Sequence, residues 1–352
     1  MGGWAFSSVI RRELLLTTSD MLMDHVLRKF QIDSARAEVS LITRGHVNLA
    51  YEVMSQQGHF VLQKVNTSVF TNPVAMMGNI SKVLKNIPEL YLVKVDGKDY
   101  YEDESGFYRM YNYVQDSACY DVLTDENFAY RMGKGLQSFH NKLAKIEASQ
   151  LYETIPAFHD MRSRYAQLEA AAESDSHSRL KHASEELGFL LENRKRGYMI
   201  NDLYRSGMIR KVVTHNDAKL SNILFNKDTG AYITFIDFDT IMAGTVLYDI
   251  GDMLRSGCSS AAEDEKDLAK VEFLASYYEA IRDGYLEGNA EVTKAERALF
   301  PECGRMMTQI VAVRFLADYL NGDVYFHTAY PEHNLVRCRN QIALIKDLDR
   351  KL

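Results

Sequence analysis

Residues 211–225 read KVVTHNDAKLSNILF, a polar turn holding His215, Asp217, Lys219 and Asn222 between two short apolar runs. A second apolar stretch, YITFI, ends in Asp237. Metal-assisted phosphoryl transfer needs a carboxylate to orient or accept the proton of an attacking hydroxyl, and further oxygen ligands to hold magnesium on a triphosphate. His-x-Asp-x-x-x-x-Asn followed by a strand-borne Asp supplies each part. Taken singly, the same residues read as turn caps and strand ends, so the spacing carries the signal.

The surrounding pattern predicts the elements that hold these groups. Ile10, Leu14, Met21, Val26 and Leu27 recur at helical spacing within the first thirty or so residues. The period then shortens: 39–43, 47–54, 59–65, 91–95 and 107–114 read as strands, with Gln56-Gln57-Gly58 and Asp96-Gly97 as turns. A five-stranded antiparallel sheet with a helix inserted at 73–86 is expected. From Thr124 the period is helical, with Phe128, Met132, Leu136, Phe139, Leu143 and Ile146 on one face and Thr124 or Asp125 as cap. The charged stretch 160–198 predicts long, mostly solvated helices, and Glu263-Asp264-Glu265 a solvated face. The fold class is therefore α+β, a sheet-rich N-terminal lobe (1–110) passing to a mainly helical C-terminal lobe (111–352).

Composition bounds the function. The 352 residues carry a net charge of −7, which offers no positive field for nucleic acid or anionic lipid. Cys119, Cys258, Cys303 and Cys338 form no CxxC pair, so reduced thiols and a cytoplasmic setting are expected. Arg11, Arg12 and Glu13 interrupt the first apolar stretch, and Phe6 stands where a myristoylation motif wants Ser or Thr, so neither a signal segment nor a membrane anchor is expected. No GxxxxGK[ST] loop is present, which excludes a P-loop nucleotide site.

The segment His215 to Asn222 resembles the catalytic loop H-x-D-x-x-x-x-N of kinase-fold enzymes, and Asp237-Phe238-Asp239 stands in place of their D-F-G. Asp239 instead of Gly, the following Ala243-Gly244 and Tyr248-Asp249-Ile250-Gly251-Asp252, and the lack of A-P-E resemble the aminoglycoside phosphotransferase and choline kinase branch. Within it, HNDAKLSNILF, IDFDTIMAG, LYDIGDMLRSG with AAEDE, and RFLADYLNGDVYF are similar to the N-acetylhexosamine 1-kinases. The resemblance covers most of the chain. It implies a bilobal protein-kinase-like fold and ATP-dependent phosphorylation of an N-acetylhexosamine at its anomeric hydroxyl. Asp217 would then be the base, Lys219 would neutralise the migrating phosphoryl oxygens, and Asn222 and Asp237 would hold Mg2+. His215 would brace the loop. Another acceptor (an aminoglycoside, choline or other alcohol) and a nucleotide-binding pseudokinase are the alternatives.

The nucleotide side rests on position. Thr43 to Asn48 is the candidate phosphate hairpin, with Gly45 and Asn48 as contacts, and Lys64 takes the place of the phosphate-pairing strand lysine. Met110, Tyr111 and Tyr113 are placed for the adenine. Residues 65–88 hold no acidic partner for Lys64, and the resemblance would put one near Gly78. On the acceptor side, Arg314, Asp318 and Asn321 offer directed hydrogen bonds suited to a neutral sugar. Helical spacing also allows Arg314 and Asp318 to be a plain ion pair. The expected partners are the sugar and ATP, and the expected assembly is a monomer or small homo-oligomer.

Overall fold

The computed structural model describes residues 18–43, 47–289 and 291–352. The chain divides into two compact units, one running to Ser68 with Leu90–Tyr113 added, the other Val69–Glu89 with Val114–Leu352.

The first unit is built on a five-stranded antiparallel sheet in the order β1-β2-β3-β5-β4. Its strands are β1 Glu38–Ile42, β2 Leu49–Ser55, β3 Gly58–Val65, β4 Tyr101–Asp103 and β5 Gly106–Asn112. Helix α1, Thr18–Lys29, lays Val26 and Leu27 on a core of Val53, Phe60, Leu62, Tyr108 and Met110. Ile10 and Leu14, which the sequence reading placed in this helix, lie outside the described residues. One expected strand is corrected. Residues 91–95 form only isolated bridges, Leu92 with Tyr111 and Val95 with Lys98, because Asp96-Gly97 turns the chain back at once. The remaining strand is Tyr101–Asp103, which pairs with β5 across a turn at Gly106 and has too few apolar residues to be read as a strand.

The second unit is mainly helical. It begins with α2, Pro73–Leu84, capped by Asn72 with Pro73 in the first turn, where a missing N–H costs nothing. The short strand β6, Ser117–Ala118, leads to α3, Glu126–Leu143, which Asp125 caps by accepting from the Phe128 amide at 2.8 Å. The predicted face of α3 is the buried one, with Phe128, Met132, Leu136, Phe139 and Leu143 all inside. After it come α4 Met161–Ser174, α5 Ser184–Gly197, α6 Met199–Arg205, β7 Val212–Thr214, β8 Ile223–Asn226, β9 Tyr232–Phe235, β10 Met242–Gly244 and α7 Val246–Gly257. The chain ends with α8 Ala275–Leu286, α9 Lys294–Ala298, α10 Phe300–Leu320 and α11 His333–Lys351.

Two stretches read as solvated each also make a buried contact. On α4, Tyr165 and Leu168 are fully buried, and the Tyr165 hydroxyl donates to the Leu190 carbonyl at 2.8 Å. In the acidic run, Glu263 pairs with the buried Arg255. Helices α3 and α8 approach so closely that a Cβ on Gly133 would meet the Ile281 carbonyl oxygen at 2.1 Å. Among the described residues no helix is long and apolar enough to cross a membrane.

Candidate active site

The loop from His215 to Asn222 leaves β7 and enters β8, and helix α7 holds it from one face. Asp249, Asp252 and Ser256 lie at positions i, i+3 and i+7 of α7, one side of a helix. The two oxygens of Asp249, which is fully buried, accept from the amides of His215 at 2.8 Å and Asn216 at 2.7 Å. The Asn216 backbone is left-handed, with φ 63°, so the carboxylate fixes a turn that the chain would not otherwise favour. His140 of α3 also donates to Asp249 through Nε2 at 2.8 Å, while its Nδ1 accepts from the Tyr285 hydroxyl. One turn on, the Ser256 hydroxyl accepts from the Leu220 amide at 2.9 Å and donates to the Asp252 carbonyl.

His215 is a brace. Its Nε2–H donates to the Ile236 carbonyl at 2.9 Å and its Nδ1 accepts from the Asp217 amide, so the ring is held neutral and in one tautomer. Burial lowers its pKa further. The Asn222 carbonyl accepts from the Ile236 amide at 2.9 Å, so Ile236 is clamped by this loop on both sides. Asp237 follows it in a left-handed conformation, φ 65°, with an exposed side chain. The other side of the turn relies on close approach. Asn216 Nδ2 donates to the Thr240 carbonyl at 3.0 Å, and a Cβ on Gly244 would stand 2.2 Å from Thr214 Oγ1 and 2.7 Å from Asn216 Oδ1.

Within this frame Asp217, Lys219 and Asn222 converge. Oδ2 of Asp217 accepts from Lys219 Nζ at 2.8 Å and from Asn222 Nδ2 at 2.7 Å. Burial would push the Asp217 carboxyl up, yet the Lys219 ammonium outweighs it and holds the group well below the usual carboxylate range. Lys219 is raised in turn: burial opposes its charge, and Asp217, then Asp237 and Asp252, favour it. Asp252 is pushed up by burial, against its Arg255 partner at 2.7 Å, and the neighbouring Asp217 charge adds to the rise.

Asn222 tests the fit of a hard cation. Its Nδ2 also reaches the Asp217 carbonyl at 2.9 Å, which fixes the orientation of the amide and leaves Oδ1 without a hydrogen bond among the described residues. An amide oxygen and a carboxylate, Asn222 and Asp237, are donors that Mg2+ prefers, with phosphate oxygens and water completing its shell. The described residues hold no group of three His, Cys, Asp or Glu that would bind a metal unaided.

The nucleotide-side residues are placed differently. Gly45 lies outside the described residues. Asn48 Oδ1 accepts from the Asn66 amide at 2.9 Å. Lys64 lies on the sheet face shared with Phe60 and Leu62, opposite Tyr108 in register and 5.7 Å from the centre of its ring. On the other face of β3, Gln63 accepts from Arg109 Nε at 2.8 Å. The Met110 side chain is buried in the core and its carbonyl accepts from the Val93 amide, while Tyr111 bridges to Leu92. Tyr113 stacks on His59 at 3.7 Å.

On the acceptor side, the ion pair of Arg314 with Asp318 is not formed. Asp318 Oδ1 accepts from the amides of Val324 and Tyr325, and Oδ2 from Phe326 N and Asn334 Nδ2, so the carboxylate folds the loop after α10. This use differs from the sugar contact expected of it. Asn321 is exposed at the end of α10. Sequence reasoning noted Asp249 and Asp252 within a block of the family resemblance but assigned neither of them, nor Ser256, as a support of the loop. It also missed His140, whose partners Asp249 and Tyr285 are distant in sequence.

The family described as phosphotransferase enzyme family matches residues 38–298, three quarters of the chain with the whole loop and Asp237 inside it. The chain belongs to this phosphotransferase family. An uncharacterized kinase-like protein of Caenorhabditis elegans is 26% identical over 171 residues, 46% of this chain and 43% of that protein. The chain thus spans less than half the length of that curated relative. Among solved structures, choline kinase from Cryptosporidium parvum Iowa II superposes with a TM-score of 0.63 at 15% identity, covering 94% of this chain and 96% of that one. A spectinomycin phosphotransferase in complex with ADP and spectinomycin gives 0.58 at 14% identity, with 94% and 98% covered. Ethanolamine kinase from Plasmodium vivax gives 0.57 at 16%, with 97% and 93% covered. At such identities the likeness establishes the fold, which is kinase-like and α+β.

Proposed function

We propose that this phosphotransferase moves the terminal phosphoryl group of ATP to the anomeric hydroxyl of an N-acetylhexosamine, giving the sugar 1-phosphate. The observation that carries the catalytic part is Asp217, whose Oδ2 is tied to Lys219 and Asn222 while Oδ1 has no hydrogen bond among the described residues. Oδ1 orients the acceptor hydroxyl and takes its proton as the new bond forms, and Lys219 offsets charge on the phosphoryl oxygens. Asn222 Oδ1 and Asp237 would hold Mg2+, which supplies charge neutralisation on the nucleotide phosphates. The four sequence blocks around these residues support the sugar as acceptor. Retention of Asp217, Asn222 and Asp237 together speaks against a pseudokinase.

The test is a panel of free sugars with Mg-ATP, following ADP release and reducing ends together. Consumption of reducing ends in step with ADP supports the reading, and ADP release with reducing ends unchanged refutes the 1-kinase assignment. The acceptors named for the solved relatives, choline, ethanolamine and spectinomycin, belong in the same panel as the second reading.

A further inference from the structure

The segment 158–164 and the helix α10 bring two guanidinium groups to one place. Arg314 has its guanidinium carbon 5.0 Å from the ring centre of Phe158, 5.3 Å from that of Tyr325 and 5.2 Å from that of Phe326. Among the described residues it makes no hydrogen bond and no ion pair, since Asp318, one helical turn away, is committed to backbone amides. Arg164 approaches the same Phe158: its Nε and Nη2 donate to the Phe158 carbonyl at 3.0 and 2.9 Å, and its Nη1 donates to Gln167. No carboxylate pairs with Arg164 either, because Asp160, the nearest acid in sequence, caps α4 and binds Arg205. Burial, then the Arg314 charge, pulls Arg164 down to about 10.

This pair is joined to the catalytic loop. His159, next to Phe158, donates through Nε2 to the carbonyl of Asn216, the residue before Asp217, at 2.8 Å. Burial, helped by the Arg314 and Arg164 charges, lowers the His159 pKa to about 4, so no third charge is added. In a chain of net charge −7, two guanidiniums without a carboxylate form a local site of the opposite sign. The three rings would suit a quaternary ammonium, but Arg314 fills their centre with its own cation. A cationic acceptor would meet repulsion there.

We infer that the acceptor carries a negatively charged substituent, a carboxylate or a phosphate, which binds to Arg314 with Arg164 behind it. The inference rests on the phosphotransfer reading above and narrows its acceptor: a hexosamine bearing an acidic group would satisfy both the loop and the arginines. Arginine recognises both anions through paired N–H donors, and such charge-assisted bonds are the strong ones.

The test uses the full chain with Mg-ATP and three matched acceptors: N-acetylglucosamine, its 6-phosphate and the corresponding uronic acid. At least one charged sugar should exceed the neutral one in kcat/KM by about 10–100-fold, the worth of a charged hydrogen bond. Which one leads separates phosphate from carboxylate. R314Q should bring the charged-to-neutral ratio to within about threefold, and R314K should keep most of it. If no sugar is turned over, the hexosamine reading fails. The inference is then judged on glycerate and glycerol phosphate against choline and ethanolamine, where the anions should lead. A neutral or cationic acceptor leading in the series that turns over, or a ratio unchanged in R314Q, overturns it.

Discussion

Lys219 Nζ stands 2.8 Å from Oδ2 of Asp217, the oxygen that also accepts from Asn222. One oxygen of the carboxylate is therefore an anchor and the other is left to chemistry. The anchor fixes the side-chain rotamer before substrate arrives, which is the preorganisation a positioned base requires. The same ammonium keeps the carboxylate ionised despite its partial burial.

Asp217→Asn keeps the shape and both anchoring contacts in reach but cannot accept the proton. Turnover should fall by about 10²–10⁴-fold, the usual contribution of a positioned general base, with nucleotide affinity retained. A variant keeping more than about half of the wild-type rate would remove Asp217 from the mechanism.

Lys219→Met removes the cation that opposes burial at Asp217, so the carboxyl pKa should rise. A base acts in its deprotonated form. Its depressed pKa therefore keeps activity, and the stability linked to ionised Asp217, present above the ordinary carboxylate range, and both are lost as pH falls through the folded value. In the variant the acid limb of kcat/KM should move to higher pH, on top of a lower plateau. An acid limb at the wild-type position would show that Lys219 does not set the state of Asp217.

Asp237→Ala deletes an ionic ligand and Asn222→Ala a neutral one. Raising Mg2+ should partly rescue the Asn222 variant and barely rescue the Asp237 variant, because an anion contributes more to a hard cation than an amide oxygen. Equal Mg-ATP affinity in wild type and Asp237→Ala, measured by calorimetry, would contradict the assignment.

The loop itself was legible because its residues are neighbours in sequence: His215, Asp217, Lys219 and Asn222 declare their chemistry through spacing alone. The sheet and the face of α3 were legible through period, since Phe60 and Leu62 alternate and Phe128 to Leu143 step by four and three. What holds the loop was not legible. Asp249 is 34 residues from His215, and only the fold lays its carboxylate under two amides of the loop. Asp318 shows the limit of helical spacing: proximity to Arg314 was correct as a possibility, yet three backbone amides compete for the same carboxylate and take it.

Asp249 provides the sharpest check on this account, since it touches no reacting atom. Its carboxylate is fully buried and accepts from the amides of His215 and Asn216 and from His140. Asp249→Ala would leave those donors buried without an acceptor and should cost about 2–5 kcal/mol, seen as a lower denaturant midpoint with an unchanged slope. Asp249→Asn is the milder probe. It keeps one oxygen acceptor and presents an N–H₂ to a second donor, so the chain folds but the turn before Asp217 shifts. A displacement of about 1 Å at a catalytic group costs ~10²-fold in rate. Asp249→Asn should therefore lower kcat by about 10–100-fold while the KM for ATP changes less than about threefold. Loss of stability with kcat intact in the folded fraction would show that Asp249 supports the fold without placing the base.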